Sequence, residues 1–167
     1  LLMKRLAVSI IAICLLIAGC GTPRPAQSGF NLVFRYGIGA KNELNTFNGT
    51  YTKDMVQETS ITVGFSLASE ETNAIYQKMQ EIGFFSYPDR FVVSVPPGAP
   101  VGTVTPHPSY YFKVQYGSQV KELWWDDSIR NDDAQASKLR QLIQLIQNII
   151  ESKPEYKKLP APKSGYM

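Results

Sequence analysis

Residues 110–125 read Tyr110-Tyr-Phe-Lys-Val-Gln-Tyr-Gly-Ser-Gln-Val-Lys-Glu-Leu-Trp-Trp125, two alternating runs on either side of Gly117-Ser118. Tyr110, Phe112, Val114 and Tyr116 recur with the period of 2 that gives a strand one buried face. Gly117-Ser118 suits a two-residue hairpin turn, and a turn of that length fixes the pairing. Tyr116 should face Gln119, Lys113 Glu122, Phe112 Leu123, Tyr111 Trp124 and Tyr110 Trp125. Phe112, Leu123, Tyr110 and Trp125 then share an inner face, while Lys113 and Glu122 lie outside beside Tyr111 and Trp124.

The hairpin leads into the clearest helix of the chain, residues 134–152. Leu139, Leu142, Ile143, Ile146, Ile149 and Ile150 line one face with Leu145 at its edge, and Arg140, Gln141, Gln144, Gln147 and Asn148 line the other. Asp132 or Asp133 can cap it, and Pro154 should end it, leaving 154–167 as a Pro- and Lys-containing tail. Upstream, residues 86–108 carry six prolines' worth of interruption at Pro88, Pro96, Pro97, Pro100, Pro106 and Pro108. Within this loop Phe91-Val-Val-Ser-Val95 suits a short edge strand. Long irregular loops in compact domains are often functional.

Before that loop, Phe30, Leu32, Phe34, Tyr36 and Ile38 alternate with other residues over 30–38, a first strand. Residues 40–47 are polar and read as a loop. Asn48-Gly49 turns the chain into a second strand at 50–57, and Glu58-Thr59-Ser60 form the turn into a third, with Ile61, Val63, Phe65 and Leu67 on one side. A pairing of Val56 with Ile61 and one of Met55 with Val63 are both open. Ser69 can cap a helix beginning at Glu70-Glu71, buried through Ile75, Met79 and Ile82 and ending near Gly83, after which Phe84 and Phe85 plug the core.

The fold class expected is α+β, a two-layer sandwich: an antiparallel sheet of about five strands with two helices on one face, in the order βββα-loop-ββα. Residues 30–153 make a single domain. Residues 20–29, which lack apolar periodicity and hold Gly21, Pro23, Pro25 and Gly29, are a flexible tether.

The start of the chain supplies an address. Met3-Lys4-Arg5 is a positive n-region, residues 6–17 are apolar, and the run is short of the roughly 20 residues that span a bilayer. Leu16-Ile17-Ala18-Gly19-Cys20 resembles the lipobox of bacterial lipoproteins. The resemblance implies that residues 1–19 are a signal peptide cleaved before Cys20 and that the Cys20 sulfur carries a diacylglyceryl group. Two acyl chains, each worth about 0.8 kcal/mol per buried CH₂, would hold the domain stably on the extracytoplasmic face of the cell membrane. An ordinary secretory signal with an incidental cysteine is the alternative.

The chain holds 17 Lys and Arg against 14 Asp and Glu, and Lys4 and Arg5 leave with the signal, so nucleic-acid binding lacks electrostatic support. Of its two cysteines, Cys14 lies in the signal and Cys20 is lipidated, which leaves no thiol for a disulfide or a Cys-based metal site.

Neither a catalytic centre, a metal nor a cofactor is expected. His107, between Pro106 and Pro108, has no nucleophile-elbow serine to serve. Asp126, Asp127, Asp132 and Asp133 have the chemistry of a Ca²⁺ site but not EF-hand spacing, with Arg130 among them; a strand end and a helix cap account for the same residues. Gly37-Ile38-Gly39 lacks the rest of a dinucleotide loop. Asn48-Gly49-Thr50 fits a glycosylation sequon and equally a turn.

Surfaces are the better candidates. Tyr111 and Trp124, if outward together, form an aromatic platform for a protein or sugar; the alternative is that the Pro-rich loop covers them. Lys41, Asn42 and Asn45 form a second candidate, against the simpler reading of a loop with Asx turns. From Phe34 to about Pro160 the body resembles a group of small Gram-positive extracytoplasmic proteins. The resemblance lies in Tyr36-Gly-Ile-Gly-Ala-Lys-Asn-Glu-Leu-Asn-Thr-Phe47, Thr50-Tyr-Thr-Lys-Asp54, Ile75-Tyr-Gln-Lys-Met-Gln-Glu-Ile82, Phe84-Phe-Ser-Tyr-Pro88 and Lys121-Glu-Leu-Trp-Trp-Asp126. Some of these resemble the extracellular parts of membrane-bound sensors, and the group supplies no catalytic residues. The function expected is a non-catalytic module, anchored through Cys20, that binds an envelope protein, peptide or polymer. The alternatives are an inhibitor or sensor-type domain and a carboxylate-based hydrolase of envelope polymers.

Overall fold

The computed structural model describes residues 29–166. The signal at 1–19, Cys20 and nearly all of the tether therefore lie outside the described residues. Within them the α+β class holds. The element order is β1 (Asn31–Tyr36), β2 (Asn42–Asn45), β3 (Thr50–Met55), β4 (Glu58–Gly64), α1 (Ser69–Ile82), β5 (Arg90–Phe91), β6 (Gly102–Thr103), β7 (Ser109–Tyr116), β8 (Gln119–Asp126), β9 (Ile129–Arg130), α2 (Ala134–Ser152) and α3 (Pro154–Lys157).

Seven strands form one sheet in the order β4-β3-β2-β1-β7-β8-β5, and β6 and β9 form a second, two-stranded one. The β7–β8 hairpin has every pair expected from its turn, from Tyr116 opposite Gln119 to Tyr110 opposite Trp125. Its other neighbour is β1, with Phe34 opposite Phe112 and Arg35 opposite Tyr111. β1 to β4 run as an antiparallel meander, and α1 then carries the chain from the β4 edge to the opposite edge. There β5 pairs with β8 in parallel, so the sheet is mixed rather than wholly antiparallel.

Both helices pack on one face. Leu32 and Phe34 of β1, Leu44, Tyr51, Phe112 and Leu123 share one cluster with Ile75 and Met79 of α1 and Leu139, Leu142 and Ile146 of α2, all fully buried. Each such side chain stabilises the fold by about 1.5–3 kcal/mol relative to exposure. Phe84 plugs this core, its ring edge-on to Phe112 at 5.2 Å.

Several boundaries differ from the sequence expectation. Residues 40–47 are not all loop, because Asn42–Asn45 is a strand. Only Leu44 in it is apolar and buried, too little for an alternation to show. The β3–β4 turn is Val56-Gln57, so neither of the two expected registers forms; Met55 faces Glu58, Lys53 faces Ile61 and Tyr51 faces Val63 across a bulge. Glu58-Thr59-Ser60, expected as the turn, begins β4. The turn is set by the Asp54 carboxylate, whose Oδ1 accepts the Val56 N–H at 3.1 Å and holds Val56 at φ +66°. The edge strand expected at 91–95 is instead the dipeptide Arg90–Phe91. Ser69 is the first residue of α1, not its cap; the Glu71 carboxylate reaches back 2.7 Å to the Ala68 N–H. At α2 the cap is Asp133, which accepts the Ala136 N–H at 2.7 Å.

The stretch read as a tail is part of the fold. Pro154 opens the short helix α3, as its missing N–H allows at a first position. Tyr156 then packs edge-on to Tyr51 at 5.6 Å, and Leu159 joins the core. Beyond them Lys53 donates to the Pro160 carbonyl at 2.9 Å, Lys163 pairs with Glu58 at 2.7 Å, and the Tyr166 hydroxyl donates to Asp54.

Candidate functional site

With both helices on one face, the other face of the sheet is left open. Its side chains are those of opposite parity to the core, and the registers line up one of them from each strand. Thr62 of β4, Thr52 of β3, Glu43 of β2, Arg35 of β1, Tyr111 of β7, Trp124 of β8 and Arg90 of β5 form a continuous row across all seven strands. At a strand spacing of about 4.8 Å, Arg35 and Arg90 flank the aromatic pair about 14 Å apart.

The row is internally braced. The Arg35 guanidinium lies 5.6 Å from the Tyr111 ring centre and donates from Nε to Glu43 Oε2 at 2.6 Å. Asn45 Nδ2 donates to the other Glu43 oxygen at 3.1 Å. Tyr111 and Trp124 meet at 6.1 Å with their planes 46° apart, which makes a shallow V of two half-buried rings. Trp124 Nε1 donates to Asp126 Oδ2 at 3.2 Å, and Ser109 Oγ donates to Asp126 Oδ1 at 2.6 Å. The Ser109 hydrogen bond is the main cause that holds the Asp126 carboxyl below its ordinary range. Partial burial, then the nearby Glu122, raises the Tyr111 phenol above its own.

The first part of the Pro-rich loop lies beside these rings rather than over them. Its β5 lies edge to edge with β8, Asp89 O accepting the Trp124 N–H at 2.7 Å, while Phe91 turns to the helix side against Trp125 at 5.4 Å. Further along, the loop and the N-terminus of α2 border an open cleft of about 420 Å³, lined by Ser94, Pro96, Ala99, Pro100 and residues 131–133. Neither Tyr111 nor Trp124 lines it.

The second expected surface does not hold together. Asn42 is spent on structure, Nδ2 donating to the Tyr36 carbonyl at 3.2 Å and Oδ1 accepting the Asp54 N–H at 3.0 Å. Lys41 is exposed, its ammonium 5.0 Å from the ring centre of Tyr166 in the C-terminal segment. Asn45 shares a face with Tyr111 and Trp124, whereas Asn42 points with Leu44 to the other.

The acidic cluster is likewise dispersed. Asp126 holds Ser109 and Trp124, and Asp133 caps α2. Asp127, 1 % exposed, accepts Arg130 Nη1 at 2.5 Å, Arg140 Nη2 at 2.7 Å and Arg140 Nε at 3.1 Å. Arg140 also covers the Trp125 ring at 5.2 Å. The Asp127 oxygens thus meet guanidinium donors, which accounts for this carboxylate without a metal.

Arg35, Glu43 and Arg90 escaped sequence reasoning. Their place depends on β1 pairing with β7 and β5 with β8, contacts between segments far apart in the chain. Chemically the row offers stacking surface, guanidinium donors and carboxylate acceptors, most already held by a neighbour. Ser109 donates straight to a carboxylate, with no imidazole between them as a base. Compared with known proteins, the chain matches no family model and no curated protein. Among the described residues, no helix is long and apolar enough to cross a membrane.

Proposed function

We propose that this chain is a membrane-anchored extracytoplasmic lipoprotein whose domain is a non-enzymatic binding module, and that the open sheet face around Tyr111 and Trp124 is its binding surface. The observation that carries the reading is the row from Glu43 to Arg90. It sets two half-buried aromatic rings between guanidiniums on a face that neither helix covers. Rigid aromatics beside arginine are the residues that dominate interface energies, because they bring much area at little entropy cost. Bracing by Glu43 and Asp126 reduces that cost further.

The partner is an envelope protein, peptide or polymer, met at the membrane to which Cys20 tethers the domain. Pull-down from envelope extracts tests the surface. The wild type should recover a partner that the Tyr111→Ala/Trp124→Ala variant loses, with circular dichroism unchanged. Equal recovery by both removes this face from consideration. Metabolic labelling with a fatty acid tests the anchor separately: the wild type should be labelled and Cys20→Ser should not.

A further inference from the structure

The end of the sheet at which β1 begins carries an apolar rim. The registers set Asn31, Gln115 and Val120 in one line across β1, β7 and β8, on the face without helices. Thr46 donates its N–H to the Leu32 carbonyl at 2.9 Å, so Phe47 follows at the level of Asn31. Phe47 is 41 % exposed and Val120 57 %, and the Phe47 ring borders a shallow cavity with Val33, Asn45 and Lys113. On the helix side of the same end, Phe30 meets Tyr76 at 5.7 Å, Tyr76 stacks on Tyr116 at 5.0 Å and Phe85 meets Tyr116 at 5.9 Å. Phe30, Phe85 and Tyr116 are half-exposed. An open cleft of about 330 Å³, lined by Phe85, Gln119, Val120 and Lys121, joins the two sides of the rim.

The two turns that project from this end are 45–50, Asn-Thr-Phe-Asn-Gly-Thr, and 115–120, Gln-Tyr-Gly-Ser-Gln-Val, and neither holds a charged residue. Glu70 and Glu71 begin α1 beyond β4, at the margin of this end. The opposite end holds Lys41, Asp54, Glu58 and Asp126. Taking the two turns out of water strips no side-chain charge of its hydration, whereas burying the opposite end would. The first described residue, Gly29, enters the fold at the uncharged end, and Cys20 is nine residues before it, at most about 32 Å of extended chain. The charged end lies about 20 Å away along β3. Laying that end on the membrane would use most of the available chain, and laying the apolar end there uses little.

We propose that this end of the domain rests on the bilayer surface, with Phe30, Phe47, Phe85, Tyr116 and Val120 at the level of the lipid headgroups. This placement rests on the lipid anchor at Cys20 proposed for the chain. Aromatic rings suit the headgroup level because one side of it is apolar and the other wet. Surface binding of this kind grows with the apolar area buried, and the uncharged turns make it independent of anionic lipid. The anchor supplies the affinity and the rim supplies the orientation. The strands then stand up from the membrane, and the Tyr111–Trp124 row lies four residues, about 13 Å, above the line from Gln115 to Val120. The open face is thereby turned sideways, free to meet a partner lying along the membrane.

Fluorescence quenching by lipid tests the placement without any other ligand. With Cys14 lost in the signal and Cys20 acylated, one introduced cysteine is the sole free thiol for a dye. The full chain is reconstituted in vesicles of phosphatidylethanolamine and phosphatidylglycerol that carry a nitroxide-labelled lipid. Dyes on Asn48→Cys and Ser118→Cys, in the two turns, should lose most of their emission, and a dye on Gln57→Cys, exposed at the opposite end, should keep its own. Adding Phe47→Ser and Val120→Ser should return Ser118→Cys to the level of Gln57→Cys, with flotation of the protein on the vesicles unchanged. Equal quenching at all three positions, or quenching at Ser118→Cys untouched by the two serines, overturns the placement and leaves the anchor standing. A chain that neither takes up fatty acid nor floats with the vesicles overturns the anchor, and the placement with it.

Discussion

Asp127 offers the sharpest test of how the domain is held together. The chain leaves the sheet at Asp126 and must reach α2, and Asp127 joins the two by gathering Arg130 from β9 and Arg140 from α2. Its side chain is 2 % exposed, while those of Arg140 and Arg130 are 28 % and 41 % exposed. Breaking a buried ion pair costs about 3–5 kcal/mol, because the partner charge is left in place. Both guanidiniums can recover some hydration, so Asp127→Ala should lie at the lower end, about 3 kcal/mol. For a domain of this size that lowers Tm by about 10 °C. Asp127→Asn keeps one acceptor oxygen and should cost about 2 kcal/mol. Adding Arg140→Met to Asp127→Ala removes one stranded charge, so the double variant should fall short of the sum of the two single effects. Thermal and urea unfolding read these four variants against the wild type. A fall below about 3 °C for Asp127→Ala, or strict additivity in the double variant, would refute this account of the node.

Other consequences follow from particular residues. Val56 sits at φ +66° in the β3–β4 turn, a region costly for a β-branched residue, so Val56→Asn should raise stability by about 1 kcal/mol; a lower urea midpoint would contradict the turn geometry. Burial is the main cause that raises the phenols of Tyr36 and Tyr51 far above the ordinary range, with their hydroxyls 2.7 Å apart, and burial pushes Tyr110 up to about 12. The folded values exceed the unfolded value of about 10, so this stabilisation is complete below pH 10 and is lost as the pH climbs through the folded values. Phenolate absorbance should show most tyrosines ionising near pH 10, with these three ionising only as the fold opens; a single wave with near-ultraviolet dichroism intact would be the contrary result. Truncation after Lys153 strips Tyr156 and Leu159 from the core and should cost about 2–4 kcal/mol, whereas an unchanged Tm would return this segment to the status of a tail.

What could be read from the sequence was governed by the range of the interaction. The β7–β8 hairpin was legible to the last pair because a two-residue turn and an unbroken alternation act within one short stretch. α2 was legible because six branched or γ-branched apolar residues repeat at helical spacing. β2 was not, since its inward positions are Asn42 and Leu44, and a single buried leucine makes no pattern. The β3–β4 turn misled for a different reason. Turn chemistry points to the polar run Glu58-Thr59-Ser60, yet the Asp54 carboxylate captures the Val56 N–H and turns the chain two residues earlier. A local side-chain hydrogen bond here outweighs the backbone preference of valine.

The candidate site divides along the same line. Tyr111 and Trp124 were legible as an outward pair because they belong to one hairpin. Their neighbours were not, since Arg35 arrives through the β1–β7 pairing and Arg90 through a parallel pairing that follows a whole helix. The failure of the Lys41-Asn42-Asn45 group is informative in turn. Polar side chains in a loop suggest a ligand when nothing in the sequence offers them a partner, and here the partners are Tyr36, Asp54 and Tyr166, the last 125 residues beyond Lys41. With Asn42 held by Tyr36 and Asp54, and Lys41 set against Tyr166, the face with polar and aromatic side chains turned to solvent is the one opposite the helices.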